Sequence, residues 1–190
     1  MKENIPTKRL TMIAMTACLI TVCSWLTIPA PVPFSMQTFA IFCALQILGG
    51  RDGLASVCLY LLLGCIGLPV FSGFSGGIGH LLGPSGGYII GFVLTALCYI
   101  VFEPQAQKSK RAKVLVLSLG LLLCYIAGSL WFCAVCHVGG TEYSLWNIVS
   151  MCVLPFIIPD LLKLALSLQV CERVGSVIGK LNKEKSIEIS

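Results

Sequence analysis

The chain has 190 residues, of which 57% are hydrophobic and 11% charged, and its formal net charge is +5. Soluble domains carry about 25% charged residues to keep their surfaces solvated, so this composition excludes an ordinary water-soluble enzyme and points to an outer surface facing lipid. Nor does the positive charge signal nucleic acid, because the basic residues sit at the two ends and in one central connection, not in an aromatic-studded stripe.

Charge-free runs and their breakers predict an all-α integral membrane protein, six transmembrane helices in one bundle, with 1–190 as a single transmembrane domain. No charge occurs between Arg9 and Arg51. That run is too long for one helix, and Pro29, Pro31 and Pro33 divide it into a first helix at about 10–28 and a second at about 35–48. The first lacks a small-residue cleavage site and is read as retained, not as a signal peptide. Gly49, Gly50, Arg51, Asp52 and Gly53 predict a tight polar turn before a third helix at about 54–68. From Pro69 to Gly87 the density of glycine predicts an irregular loop. A fourth helix follows at about 88–102, then a basic connection from Glu103 to Lys113, and a fifth helix at about 114–136. His137 to Ser144 reads as another polar turn. The sixth helix, about 146–171, contains Pro155 and Pro159, and a basic tail, 172–190, closes the chain.

Six spans place both termini on one side. Lys2, Lys8, Arg9, Arg51, Lys108, Lys110, Arg111, Lys113, Arg173, Lys180, Lys183 and Lys185 all fall there, and the opposite connections (29–34, 69–87 and 137–145) carry no Lys or Arg. Basic residues accumulate on the cytoplasmic side, so both termini are expected in the cytoplasm and the protein in the cytoplasmic membrane. The second and third helices are short, covering about 20–23 Å against about 30 Å of hydrocarbon. Either they are short helices shielded by neighbours, or together they form a re-entrant hairpin. Both readings imply a cavity on the outer side, beneath the loops around Pro31 and Gly73–Gly87.

Asp160 and Lys163 are the most informative residues. They lie three apart, on one helical face, and are the only charges well inside an apolar span. Ionisable groups there are costly and face a bundle interior or a watery cavity. A packing ion pair is the plain alternative to a ligand contact, but Pro155 and Pro159 just upstream free backbone groups as in the broken helices of transporter sites. The glycine-rich stretch Gly73–Tyr88 has no Gly-Lys-Ser/Thr ending and is not a phosphate loop; it reads as a lid, in which His80 is a surface or lid residue. Cys133-Ala-Val-Cys136-His137 has the spacing of a haem attachment site, yet no haem-binding domain surrounds it, and packing or a redox role are the readings that remain. Most of the 11 cysteines fall mid-span, where Cys is a small apolar packing residue. Ala14, Ala17 and Cys18 on the first helix would let a partner helix approach closely. No cofactor and no metal are implied.

Four runs, taken together, resemble one known family. Pro31-Val-Pro-Phe-Ser-Met-Gln-Thr38, Leu61-Leu-Leu-Gly-Cys-Ile-Gly-Leu-Pro-Val-Phe71, Leu82-Gly-Pro-Ser-Gly-Gly-Tyr88 and Pro155-Phe-Ile-Ile-Pro-Asp-Leu-Leu-Lys163 are similar to signatures of the BioY family. Its members are biotin transporters, the substrate-binding S components of energy-coupling factor (ECF) transporters. The resemblance implies the six-helix S-component fold, high-affinity biotin capture, and a pocket containing Asp160 and Lys163 with Gln37 and the glycine-rich region nearby, Gly77 and Gly79 included. It also implies a membrane coupling subunit and two ABC-type ATPases as partners. The family's small-residue coupling motif is represented by Ala14-Met-Thr-Ala-Cys18, with Cys18 in place of a second Ala.

Chemistry agrees with that implication. A carboxylate at 160 accepts from a ureido N–H and an ammonium at 163 donates to its carbonyl, while Phe34, Phe71, Tyr88 and Trp146 supply apolar walls. The ligand's carboxylate would point to the mouth, or else pair with Lys163. The chain has no Walker motif, so it is read as a binding subunit that is not an enzyme and has no ATPase site of its own. The alternatives are an S component for another vitamin, or a membrane redox protein using Cys133 and Cys136.

Overall fold

A computed structural model describes residues 7–29, 33–138 and 145–188. Helix α1 (Thr7–Trp25) leads into two short strands, β1 (Thr27–Ile28) and β2 (Phe34–Ser35), followed by α2 (Gln37–Leu48) and α3 (Gly50–Cys65). A 3-10 turn (Ser72–Phe74) and the five-residue α4 (Ile78–Leu82) precede α5 (Gly86–Ala106), α6 (Lys110–Val138), α7 (Leu145–Cys152) and α8 (Leu154–Glu188).

The proline cluster turns the chain as expected, but with a small ladder. Thr27 pairs with Ser35 and Ile28 with Phe34, antiparallel. The Met36 N–H reaches back 3.1 Å to the Leu26 carbonyl and 3.2 Å to that of Cys23, satisfying groups that the end of α1 leaves free. Pro31 lies outside the described residues.

Between α2 and α3 the expected five-residue turn shrinks to Gly49 alone, at φ +82°. Gly50 to Gly53 form the first turn of α3 instead, because its free N–H groups and positive dipole end find partners there. Asp52 sits in that turn, and the Glu103 carboxylate of α5 accepts from the Gly50 N–H at 3.2 Å. Arg9 in the first turn of α1 bonds Asp52, Nε to Oδ1 2.8 Å. At the far end, Trp25 Nε1 donates to the Pro69 carbonyl at 2.9 Å. Helix α3 therefore runs antiparallel to α1, with its start beside Arg9 and the connection after its end beside Trp25. Every residue of α2 from Ala40 to Leu45 is buried, which marks it as the enclosed helix of the bundle.

The most extensive contact joins α5 and α6. It is close because of glycine: a Cβ on Gly91 would come within 2.8 Å of Cys124 Sγ, and one on Gly120 within 2.9 Å of the Thr95 methyl. Thr95 Oγ1 donates across the pair to the Gly120 carbonyl at 2.9 Å. Between lipid-facing helices such van der Waals packing does the work that water exclusion does elsewhere.

Two further expectations are corrected. The segment 69–87 is irregular but holds the 3-10 turn and α4, whose entry at Gly77 needs φ +89°. The sixth helix is broken at Val153 into α7 and α8, with Pro155 in the first turn of α8, where a missing N–H costs nothing. Residues 172–188 of the basic tail continue α8 as helix. Of the expected turn His137–Ser144, the first two residues belong to α6 and 139–144 lie outside the described residues.

Three helical stretches among the described residues are long and apolar enough to cross a membrane: Gly86–Ala106, Lys110–Val138 and Trp146–Ser176. The third joins α7 to most of α8.

Candidate binding site

Asp160 and Lys163, in the second and third turns of α8, are 2% and 5% exposed. Pro159 removes the backbone N–H just before Asp160. The geometry leaves neither charge unpaired. Lys163 Nζ lies 2.8 Å from Asp160 Oδ1, donates to the Ser35 carbonyl at 2.6 Å and reaches Thr38 Oγ1 at 3.3 Å. It also stands 3.9 Å from the centre of the Phe34 ring, a cation–π contact. Asp160 Oδ1 accepts from Thr38 Oγ1 at 2.9 Å, and Oδ2 accepts from the Tyr125 hydroxyl. A buried ion pair survives only when its remaining lone pairs and protons are satisfied. Here β2, α2 and α6 supply those partners.

The pair forms one wall of a cavity that, with the open space at its mouth included, amounts to about 570 Å³. Gln37 and Thr38 of α2 continue the polar wall, while Ile89, Phe92, Leu121 and Phe156 supply the apolar lining. Gln37 is itself held: its Nε2 donates to the Tyr60 hydroxyl, and its Oε1 accepts from Ser35 Oγ at 2.8 Å and Ser72 Oγ at 3.3 Å. Tyr88 reaches the wall from α5, its hydroxyl 3.3 Å from Ser129 Oγ. A polar cluster and an apolar face meeting in one hollow suit a small amphipathic molecule.

Of the expected ligand contacts, the fold brings Asp160, Lys163, Gln37 and Tyr88 onto this wall and leaves the others behind it or outside. Phe34 lies under Lys163 and packs on Phe156 at 5.9 Å. Phe71 is fully buried, wedged between Tyr60 and His80. Gly77 and Gly79 are not on the wall; Gly77 caps α4 and donates its N–H to the Gly64 carbonyl at 2.7 Å. Trp146 is 71% exposed and turned away. In the other direction, His80, expected as a surface or lid residue, is partly buried and lines the cavity. Thr38 and Tyr125, which complete the Asp160 site, were missed; a tyrosine hydroxyl in the middle of the apolar α6 was the available signal, since such a group needs a buried partner. On α1, Ala17 is 1% exposed and faces the core, so only Ala14 and Cys18 of the expected small-residue contact lie on the outer face.

The BioY family profile matches residues 1–180. The chain belongs to the BioY family. A probable biotin transporter BioY of Pyrococcus horikoshii is 35% identical over 168 residues, 88% of this chain and 96% of its own length. The biotin transporter BioY of Thermotoga maritima is also 35% identical, over 82% of this chain and 89% of its own. The crystal structure of the S-component for biotin from an ECF-type ABC transporter superposes with a TM-score of 0.78 at 29% identity, covering 93% of this chain and 95% of that one. BioY membership and this superposition establish the S-component fold for the helices described above.

Proposed function

We propose that this chain takes up biotin across the cell membrane as the substrate-specific component of an ECF-type transporter. It is a multi-pass membrane protein and a transporter subunit, not an enzyme. The observation that carries the reading is the buried Asp160–Lys163 pair on the wall of an internal cavity in a chain of the BioY family.

The finer features of the reading follow from chemistry. The ligand's bicyclic head sits between the apolar wall and the polar cluster, where Asp160 accepts from a ureido N–H and Lys163 donates to the carbonyl. Gln37 and Tyr88 border that head, and Phe34 and Phe71 hold the cluster from behind. Both termini are cytoplasmic and the chain makes six spans. The ion pairs Arg9–Asp52 and Lys110–Glu172 support this, because they gather the basic starts of α1 and α6 with charged parts of α3 and α8. With no ATPase site of its own, the chain relies on a membrane coupling subunit and two ABC-type ATPases, with Ala14 and Cys18 on the coupling face of α1.

Isothermal titration of the purified full chain with biotin, beside a panel of other vitamins, tests the reading. Biotin alone should bind tightly, and Asp160→Asn should weaken it by at least about 2 kcal/mol, through loss of a buried charged hydrogen bond. Tight binding of a different vitamin, or unchanged affinity in a folded Asp160→Asn protein, would refute it.

A further inference from the structure

Ser85 stands apart from the other hydroxyls of the cavity. It immediately precedes α5 and shares one helical face with Tyr88, Ile89 and Phe92, which follow it by three, four and seven residues and line the same cavity. The other hydroxyls on the wall are engaged. Ser35 and Ser72 donate to Gln37 Oε1, Thr38 and Tyr125 donate to Asp160, and the Tyr88 hydroxyl is shared between Ser129 Oγ and the Cys152 carbonyl. Ser85 Oγ has no hydrogen-bond partner in the protein and does not cap its own helix. The atom is also within reach. Among the described residues, the only fully buried side-chain nitrogen or oxygen lacking a partner is His80 Nε2. Ser85 Oγ, unpartnered in a half-buried residue, therefore keeps surface that a ligand can touch.

Its distance from the ion pair follows from how α5 meets α6. Gly91 packs against Cys124, and the next residue of α6, Tyr125, donates to Asp160, so the charged pair lies at the level of Gly91. Ser85 comes six residues earlier, about 9 Å along the helix at ~1.5 Å per residue, beside the glycine-rich segment. The cavity thus has a charged end and a hydroxyl end, with Tyr88 and Ile89 between them. Their separation is comparable with the length of a bicyclic head carrying a short alkanoate tail. The charged end is closed to a ligand's carboxylate. Lys163 is committed to Asp160 and to the Ser35 carbonyl, and in the biotin reading its remaining hydrogen goes to the ureido carbonyl. Asp160 repels a second carboxylate.

We infer that Ser85 is a specificity-determining residue whose hydroxyl donates to the ligand's carboxylate, holding an anionic tail at the end of the cavity away from the ion pair. This rests on the biotin reading and decides between its two poses: the ureido head faces Asp160 and Lys163, and the valerate carboxylate lies by the glycine-rich segment. A neutral tail gains less at the same place, because a hydrogen bond to an ionised acceptor is stronger than one to a neutral acceptor. A carboxylate only accepts, so a side chain at 85 that cannot donate leaves it without its contact.

Titration calorimetry on the full chain in detergent compares biotin with biotinamide, which keeps the ureido head and replaces the carboxylate by a neutral amide. The unaltered chain should bind biotin at least about fivefold more tightly than biotinamide. Ser85→Ala should weaken biotin about tenfold and biotinamide by no more than about threefold. The melting temperature of the unliganded protein should stay the same, since this side chain caps nothing. Ser85→Thr, which keeps the hydroxyl, should restore most of the biotin affinity. Ser85→Asp should weaken biotin by at least about a hundredfold, through like-charge repulsion, and still bind biotinamide. Equal affinity of the unaltered chain for the two ligands would overturn the inference without calling on any variant. So would equal losses of both ligands in Ser85→Ala, or full biotin affinity in Ser85→Asp. If the unaltered chain binds neither compound, the biotin reading itself falls and carries this one with it.

Discussion

Helices α5 and α6 meet through glycine, while α2 and α8 meet through buried polar side chains. In the first pair, Gly91 and Gly120 bring backbones so close that side chains are squeezed out between them, and the hydroxyl beside them, Thr95, is spent on a backbone carbonyl. In the second, Asp160, Lys163 and Thr38 share one cluster beside the cavity, and Gln46 of α2 donates to Ser167 of α8 at 2.9 Å further along the same seam. Around those two glycines no side chain is free to change partners, so that part of the contact serves as a fixed wall. A hydrogen-bonded seam holds donors and acceptors that a ligand can address, at the cost of needing every one of them satisfied when the ligand is away.

If that contrast holds, damage to the seam and damage to the wall should look different. The largest effect belongs to the seam. Asp160→Ala leaves Lys163 buried without its counter-charge and should lower unfolding stability by about 3–5 kcal/mol, read as thermal denaturation in detergent. Replacing both, Asp160→Leu with Lys163→Met, should restore most of that stability and still bind no biotin. A double variant that binds biotin normally would show that the pair serves packing alone. Next comes the wall: Gly91→Val forces a side chain into Cys124 and should cost about 1–3 kcal/mol, with biotin affinity of the folded protein changed far less than its melting temperature. A smaller loss is expected from Tyr125→Phe, about 1–2 kcal/mol in biotin affinity, since Asp160 Oδ2 forfeits its hydroxyl donor. The smallest concerns the C-terminal end of α6, beyond the Gly91–Gly120 contact. Cys133→Ser with Cys136→Ser should shift stability by less than about 0.5 kcal/mol and leave biotin uptake intact; loss of uptake would revive the redox alternative.

Much of the helical layout was readable in advance, because an apolar run without charge has few ways to exist except as a membrane helix. Boundaries moved where satisfaction of helix ends decided them. Gly50 to Gly53 looked like a turn from composition, and became helix because Glu103 and Arg9, far along the chain or before it, come to its N-terminus. The same division runs through the site. Asp160 and Lys163 stood out as charges in an apolar context, which is a local property. Thr38 pairs with Asp160 across 122 positions, and no periodicity connects them. Phe71 and Phe34 were placed on the wall by residue type, yet aromatic rings also fill the layer behind a wall, and here they do.

By itself, then, the order of residues determined that the chain lives in a membrane, roughly where its helices lie, and which two charges are worth explaining. Hydropathy and the cost of burying charge act on each segment separately, so they are legible one segment at a time. Only the packed bundle decided which partners neutralise those charges, which aromatic groups face the hollow, and that a histidine from the glycine-rich segment stacks on Phe71. Such choices depend on distances between segments remote in sequence, and those exist only once the helices have docked.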